Sequence, residues 1–565
     1  MGFSLFASFY SFLATTKIRN ANPYTPINPQ NNNLLLLLLP NNKTQFSTTL
    51  IDGHGVEGAV AKVESLKHVL RESGDCLECL DLIDAAQRLG IDSLLQEEIE
   101  AVLKRQYFLL NALEFDPMID LHKAALLFRH LTQQGFLVTP NLFKIFLDEE
   151  GKFNKELRHD IKGLTSLHEA SQLCMHGDDI LEEAQNFSSH WLNAWVVVHV
   201  NHHSATFVHN TLLHPYHKAL PQFMLPNYFG DKQWTNKWIH TLQDVAKVNF
   251  NTTQRLRQYE LKQFTKWWKE SDLGRELNFA RNQPMKWYIA SLSCLTDVCH
   301  SEQRIQLAKA IAFVYLIDDI FDVFGTLEEL TMFAEVVCRW DLVAAEKLPS
   351  CMRICFKSLL EVTNEISDQI YQKHGWNPAT SLQTAWGKLC KAFLVEAEWF
   401  SSGHWPSAEE YLRNGRVSTG VHVTLVHVFF LLGQQISNQT VELLEEDLDI
   451  VSCSATILRL WDDMGSAKDE NQEGRDGSYV KYYMKEHPST SFSATQKHIM
   501  WKISEAWKSL NREWLYCNPL FPSQFTQASL NIARAVPLFY SYGRNQSLPT
   551  FEQHMERLLF HSLDI

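Results

Sequence analysis

The chain has 565 residues and a mass of 65.3 kDa, enough for two or three compact domains. Aromatics reach 12%, while Gly and Pro number only 23 and 18. Few backbone breakers and many large side chains favour long packed helices, and exclude collagenous, disordered and small disulfide-stapled classes. The net charge of −14 excludes a nucleic-acid backbone as a direct partner, but not an anion held through metal ions.

The first 51 residues form a separate compositional zone, with no Asp or Glu before Asp52 and only Lys17, Arg19 and Lys43 as cations. Abundant Ser, Thr and Asn, with Pro23, Pro26, Pro29 and Pro40, give a character like that of a plastid transit peptide. A tail without an address, leaving the protein in the cytosol, is the alternative. The Leu34–Leu39 run is too short to span a bilayer, which needs ~20 residues. No later apolar run reaches that length, so stable membrane insertion is not expected. The 11 cysteines are odd in number and scattered, and fit free thiols.

From about Ser65 the pattern is helical. Leu66, Val69 and Leu70 recur at helix spacing, as do Leu80, Leu82 and Ile83 before Gly90. Seven histidines crowd between His190 and His217, but with no Cys or carboxylate among them they read as a helix–loop surface. A polar stretch from Asn251 to Gln258 marks a boundary, giving domains at 52–255 and 256–565. The apolar run Val421–Leu432, despite His422 and His427, reads as a buried helix.

Two acidic clusters carry the chemistry. Leu307 to Ile317, apolar except for Lys309, runs into Asp318-Asp319-Ile320-Phe321-Asp322. On a helix Asp318 and Asp322 share a face, ~6 Å apart along the axis. Like charges at the end of an apolar helix are costly unless cations neutralise them, and Mg²⁺ bridges such carboxylates to phosphates. In the second cluster Asp462, Ser466 and Glu470 stand at i, i+4 and i+8, an all-oxygen stripe suited to Mg²⁺ or Mn²⁺. Arg459, three residues earlier, is placed to grip a diphosphate. A merely solvated helical scaffold explains either cluster, but explains the pair poorly.

The paired motifs resemble those of plant class I terpene synthases. Further matching strings are Leu82–Ile91 (Leu-Ile-Asp-Ala-Ala-Gln-Arg-Leu-Gly-Ile), Gly163–Ala170 (Gly-Leu-Thr-Ser-Leu-His-Glu-Ala) and Phe264–Glu270 (Phe-Thr-Lys-Trp-Trp-Lys-Glu). The resemblance covers most of the chain from about residue 60. It implies an all-α fold of two helical domains, an N-terminal relic α-barrel and a C-terminal class I terpenoid synthase α-bundle. It also implies a prenyl diphosphate substrate bound through three Mg²⁺ ions, with Mn²⁺ as a possible substitute. Asp318, Asp322 and Asp462 would be catalytic. Asp318, Asp322, Asp462, Ser466 and Glu470 would hold metal, and Asp319 would support them. Arg281 and Arg459 would bind substrate with Asp318, Asp322 and Asp462. No Asp-x-Asp-Asp string occurs, so protonation-initiated chemistry is not expected. A monomer is the expected state.

The departures point to a subfamily. No Arg-Arg pair occurs in the chain. Where relatives often carry Arg-x-Arg, Arg281-Asn282-Gln283 retains only Arg281. Ala290 stands where many relatives have Trp, and Arg544-Asn545-Gln546 replaces a common Asp-Gly-Tyr string after Tyr540. These differences resemble synthases of acyclic tertiary alcohols, which give linalool from geranyl diphosphate and nerolidol from farnesyl diphosphate. A cyclising or hydrocarbon-forming terpene synthase is the alternative. A chain-elongating prenyltransferase is a further one, disfavoured because it usually carries two Asp-Asp-x-x-Asp motifs.

Overall fold

The computed structural model describes residues 53–74, 76–112, 119–200, 202, 204–225, 228–229, 236–466, 477–516, 519–539 and 551–563. The described chain is helical almost throughout. Its one β pairing among those residues is an isolated antiparallel bridge between Leu147 and Phe153. Its described residues divide into two compact units, one within 258–555 and one within 53–257 together with 556–563.

In the N-terminal unit the Cys76–Arg88 helix is buried from Cys79 onward, including Asp81, Asp84 and Arg88. A helix can bury charge only if the charge is paired and hydrogen-bonded. Arg88 meets both conditions: its Nε lies 3.1 Å from each Asp84 oxygen and its Nη2 donates to Glu169 at 2.8 Å. Arg129 supplies a second guanidinium to Asp84. Asp84 and Glu169 lie in two of the strings quoted for the family resemblance, which therefore mark a buried ion network.

The stretch Asn251–Gln258 lies inside the 32-residue helix Ile239–Glu270. Its polar side chains bind the returning end of the chain. Asn251 Nδ2 donates to the Leu563 carbonyl at 2.8 Å, and the Leu563 amide donates back to Asn251 Oδ1 at 2.8 Å.

The C-terminal unit is built around the Ser301–Asp319 helix, buried at every position from Gln306 to Asp319. Lys309, the one interruption of its apolar run, reaches out to Glu365 at 2.7 Å. The Pro284–Cys294, Ser350–His374 and Val421–Leu432 helices pack around it. Val421–Leu432 is buried except for His422. Gly420, at φ +71, precedes that helix: a Cβ there would stand 2.6 Å from Val314 Cγ1, so glycine permits the close approach. The second acidic helix, Asp449–Ser466, packs against Ala408–Ser418, Phe492–Leu515 and Ser523–Phe539.

Candidate active site

The first acidic cluster departs from a plain helix. The α-helix ends at Asp319 and continues as a wider π turn over Ile320–Phe324, closed by the Gly325 amide donating to the Ile320 carbonyl at 3.0 Å. Asp322 therefore does not simply repeat Asp318 one α turn later. Asp318 is wholly buried, whereas Asp322 is half-buried and lines an open cavity. Periodicity cannot foresee such a turn, which inserts an extra residue and is frequent at functional sites.

Arg281 lies against this cluster. Its amide donates to Asp319 Oδ2 at 2.7 Å and its Nε stands 2.8 Å from Asp319 Oδ1, while Nη2 contacts Asp318 Oδ2. Its guanidinium carbon sits 5.2 Å from the centre of the Tyr315 ring, one turn earlier on the same helix as Asp318. Trp268, from the Phe264–Glu270 string, anchors the neighbouring residue: its Nε1 donates to Asn282 Oδ1 at 2.9 Å. Asp318 Oδ1 is buried and makes no hydrogen bond. Burial, then the Asp322 charge, push the Asp318 carboxyl well above the usual carboxylate range, against the pull of Arg281.

On the second helix Asp462 and Arg459 are both buried, with Arg459 Nη1 at 3.9 Å from Asp462 Oδ2. Arg459 Nη2 donates to Ser418 Oγ at 2.7 Å and Nη1 to Tyr411 Oη at 3.4 Å. Ser418 in turn donates to Glu396 at 2.6 Å. Asp463 accepts from the Tyr479 amide at 2.7 Å and from Tyr411 at 3.1 Å. Burial lifts Asp463 to about 6, with Arg459 opposing. Ser466 is the last described residue of this helix, and Glu470 lies outside the described residues, as do Tyr540 and Arg544–Gln546.

A cavity of about 620 Å³ reaches one residue from each acidic region. Asp322 and Arg459 both line it, with Glu396, Tyr411 and Lys481. Phe321 and Phe393, 5.5 Å apart, supply part of an aromatic wall. Asp318, Asp462 and Arg281 are not among its lining residues. Residues 269–509 match the family model described as terpene synthase family, metal binding domain, and residues 39–212 match the terpene synthase N-terminal domain. The chain belongs to the terpene synthase family.

Curated relatives of this terpene synthase include the (E)-nerolidol synthase of Cannabis sativa, 48% identical over 88% of this chain and 91% of the relative. The chloroplastic S-(+)-linalool synthase of Arabidopsis thaliana is 43% identical over 88% of this chain and 87% of the relative. The solved isoprene synthase from grey poplar leaves, in complex with three Mg²⁺ ions and dimethylallyl-S-thiolodiphosphate, superposes with a TM-score of 0.84. It is 29% identical and covers 90% of this chain and 98% of the solved one. The synthase thus has the all-α, two-domain fold, depends on a divalent metal and acts on a prenyl diphosphate.

The donors fit such a metal. An unpartnered, buried carboxylate oxygen on Asp318 beside the Asp322 charge is the kind of site a hard cation stabilises. The motifs alone do not identify Tyr315, Tyr411, Ser418 and Glu396. Tyr315 is within reach of helix spacing, three residues before Asp318. The other three come from helices distant in sequence, and only folding brings them to Arg459.

Proposed function

We propose that this synthase ionises geranyl diphosphate, and also farnesyl diphosphate, and captures the allylic cation with water to give linalool and nerolidol with release of diphosphate. Asp318, Asp322 and Asp462, with Ser466 and Glu470, would hold three Mg²⁺ ions, with Mn²⁺ as a substitute. The metal, when bound, supplies the positive charge that stabilises a departing diphosphate.

The observation that carries this reading is the cavity shared by Asp322 and Arg459, one from each acidic helix. An anion seated there meets the Arg459 guanidinium, held in place by Ser418 and Tyr411. Arg281 holds the Asp318–Asp319 pair and is the second guanidinium offered to substrate. The Phe321 and Phe393 rings give the cation an apolar wall whose faces stabilise positive charge. Water capture is supported by the relatives named for nerolidol and linalool, and by the single arginine at Arg281-Asn282-Gln283.

The functional division is an N-terminal helical domain over 52–255 and a catalytic domain over 256–565, acting as a monomer. The acid-free first 51 residues and the chloroplastic linalool relative support a plastid location. A reporter fused to residues 1–51 checks that location.

Incubation of the purified protein with each diphosphate and Mg²⁺, followed by chiral gas chromatography, tests the reaction. Linalool and nerolidol are expected as main products. Mainly cyclic products from both substrates overturn water capture, and absence of Mg²⁺-dependent diphosphate release overturns the enzyme assignment.

A further inference from the structure

Among the described residues that line the cavity, Arg459 and Lys481 are the only arginine or lysine. Arg281 is engaged with Asp318 and Asp319 and is not in that lining. An anion inside the cavity therefore meets Arg459 and Lys481 directly. Two lining carboxylates, Asp322 and Glu396, oppose it. Glu396 is partly masked, because it accepts from Ser418 at 2.6 Å and from Asn414 at 3.0 Å. An anion beside Asp322 needs every cation within reach.

The Tyr479–Glu486 helix sets the position of Lys481. Its start is stitched to the second acidic helix, where the Tyr479 amide donates to Asp463 Oδ2 at 2.7 Å. Tyr411 Oη lies 3.1 Å from both the Gly477 carbonyl and Asp463 Oδ1, and accepts from Arg459 Nη1 at 3.4 Å. One hydroxyl thus ties the Arg459 guanidinium to the start of the helix that carries Lys481. Ser478 caps that helix, its Oγ accepting from the Lys481 amide at 3.3 Å. Gly477 and Tyr482 also line the cavity. A Cβ at Gly477 would stand 2.2 Å from Tyr482 Oη, so glycine permits that ring to close down, 5.0 Å from the Tyr411 ring. Hydrogen bonds and ring packing together hold the first turn of the helix at the cavity, and Lys481 with it.

We propose that Lys481 is a substrate-binding residue that grips the diphosphate of the prenyl substrate from the rim of the cavity, an assignment that rests on the prenyl diphosphate reading of this site. The two cations differ in kind. Arg459 is buried and pinned by Ser418 and Tyr411, so its planar fork offers the anion a fixed seat. Lys481 is exposed, and its ammonium rides on a flexible stem that closes on the anion after entry. Its loss therefore weakens binding more than it slows bond breaking.

The test is calorimetric titration of inorganic diphosphate into the full chain in saturating Mg²⁺, together with steady-state kinetics on geranyl diphosphate. Lys481→Met keeps much of the stem and removes the charge. Lys481→Arg keeps a cation. Lys485→Met is the control: it removes the same charge one turn later, where the ammonium sits 3.7 Å from the centre of the Trp405 ring. Lys481→Met should weaken diphosphate binding and raise KM by at least about tenfold each, with kcat within about threefold. Lys481→Arg should recover most of both losses. Lys485→Met should bind diphosphate within about twofold of the parent, as expected of a charge outside the anion's reach. Parent-like affinity and KM in Lys481→Met overturn the assignment. An equal loss in Lys485→Met also overturns it, because the effect is then a general field. A parent that neither binds diphosphate nor releases it in Mg²⁺ overturns the underlying prenyl diphosphate reading itself.

Discussion

In the N-terminal unit Asp84 and Glu169 are buried against Arg88 and Arg129, two carboxylates facing two guanidiniums. In the C-terminal unit Asp318, Asp319 and Asp322 crowd one helix end, and Arg281 pairs with the first two. The two sites shift the same chemical group in opposite directions. Arg88 and Arg129 overcome burial and hold Asp84 far below the usual carboxylate range. At Asp318 burial and the Asp322 charge overcome Arg281 and push the carboxyl up. Balanced buried charge is architecture. Unbalanced buried charge, with a buried oxygen left unbonded, is what the proposed metal ion would neutralise.

Asp318→Asn is the strongest way to break this comparison. It keeps the volume and removes one charge of the proposed metal site. A fall in kcat/KM of at least about 10³-fold is expected, ~4 kcal/mol of transition-state stabilisation, with helix content intact by circular dichroism. Near-native turnover would end the metal assignment. Asp84→Asn should do the reverse. It leaves Arg88 and Arg129 short of a buried partner, so unfolding free energy by chemical denaturation should drop by about 3–5 kcal/mol. The kcat of the folded fraction should stay within about twofold. A catalytic loss without a stability loss at Asp84 would show that this network is not architectural.

Metal addition sharpens the contrast at the next magnitude. With Mg²⁺ at about 100 times its dissociation constant, the parent should gain about 2.7 kcal/mol of apparent stability over the chelated protein. Asp318→Asn should lose most of that increment, and Asp84→Asn should retain it. Differential scanning fluorimetry with and without chelator reads both.

The degree to which each region is legible in sequence follows the same division. Helix content, the burial of Val421–Leu432 and the two acidic clusters rest on local periodicity and composition, so the chain displays them directly. The Leu82–Ile91 and Gly163–Ala170 strings are conspicuous, yet their role depends on Arg88 reaching Glu169 from another helix, a contact no local pattern encodes. The π turn at Ile320–Phe324 is hidden because one five-residue turn is too short to register as a change of period. Tyr411, Ser418 and Glu396 are hidden because their only link to Arg459 is through space. The polar run Asn251–Gln258 marks a change of surroundings within one helix, where Asn251 binds Leu563.

The smallest effect concerns acid. Each unit buries a histidine whose pKa burial lowers to about 4: His168, beside Ser188 and Ser189, and His427, whose Nδ1 donates to the Val423 carbonyl at 2.7 Å. Unfolded, each titrates near 6.5. The folded state therefore binds fewer protons between about 4 and 6.5. The stability each contributes is present above 6.5 and lost as pH falls toward 4, by about 2 kcal/mol at pH 5. Asp92 and Asp463, raised by burial to about 6, work with the opposite sign in this window. The informative quantity is therefore the difference between parent and variant. For His427→Asn, which keeps a donor for Val423 but cannot charge, the stability deficit measured at pH 7 should shrink by about 2 kcal/mol at pH 5. His168→Asn should behave alike in the other unit. A deficit independent of pH at either position would mean that its histidine takes up protons in the fold as it does in the unfolded chain, and that burial has not shifted it.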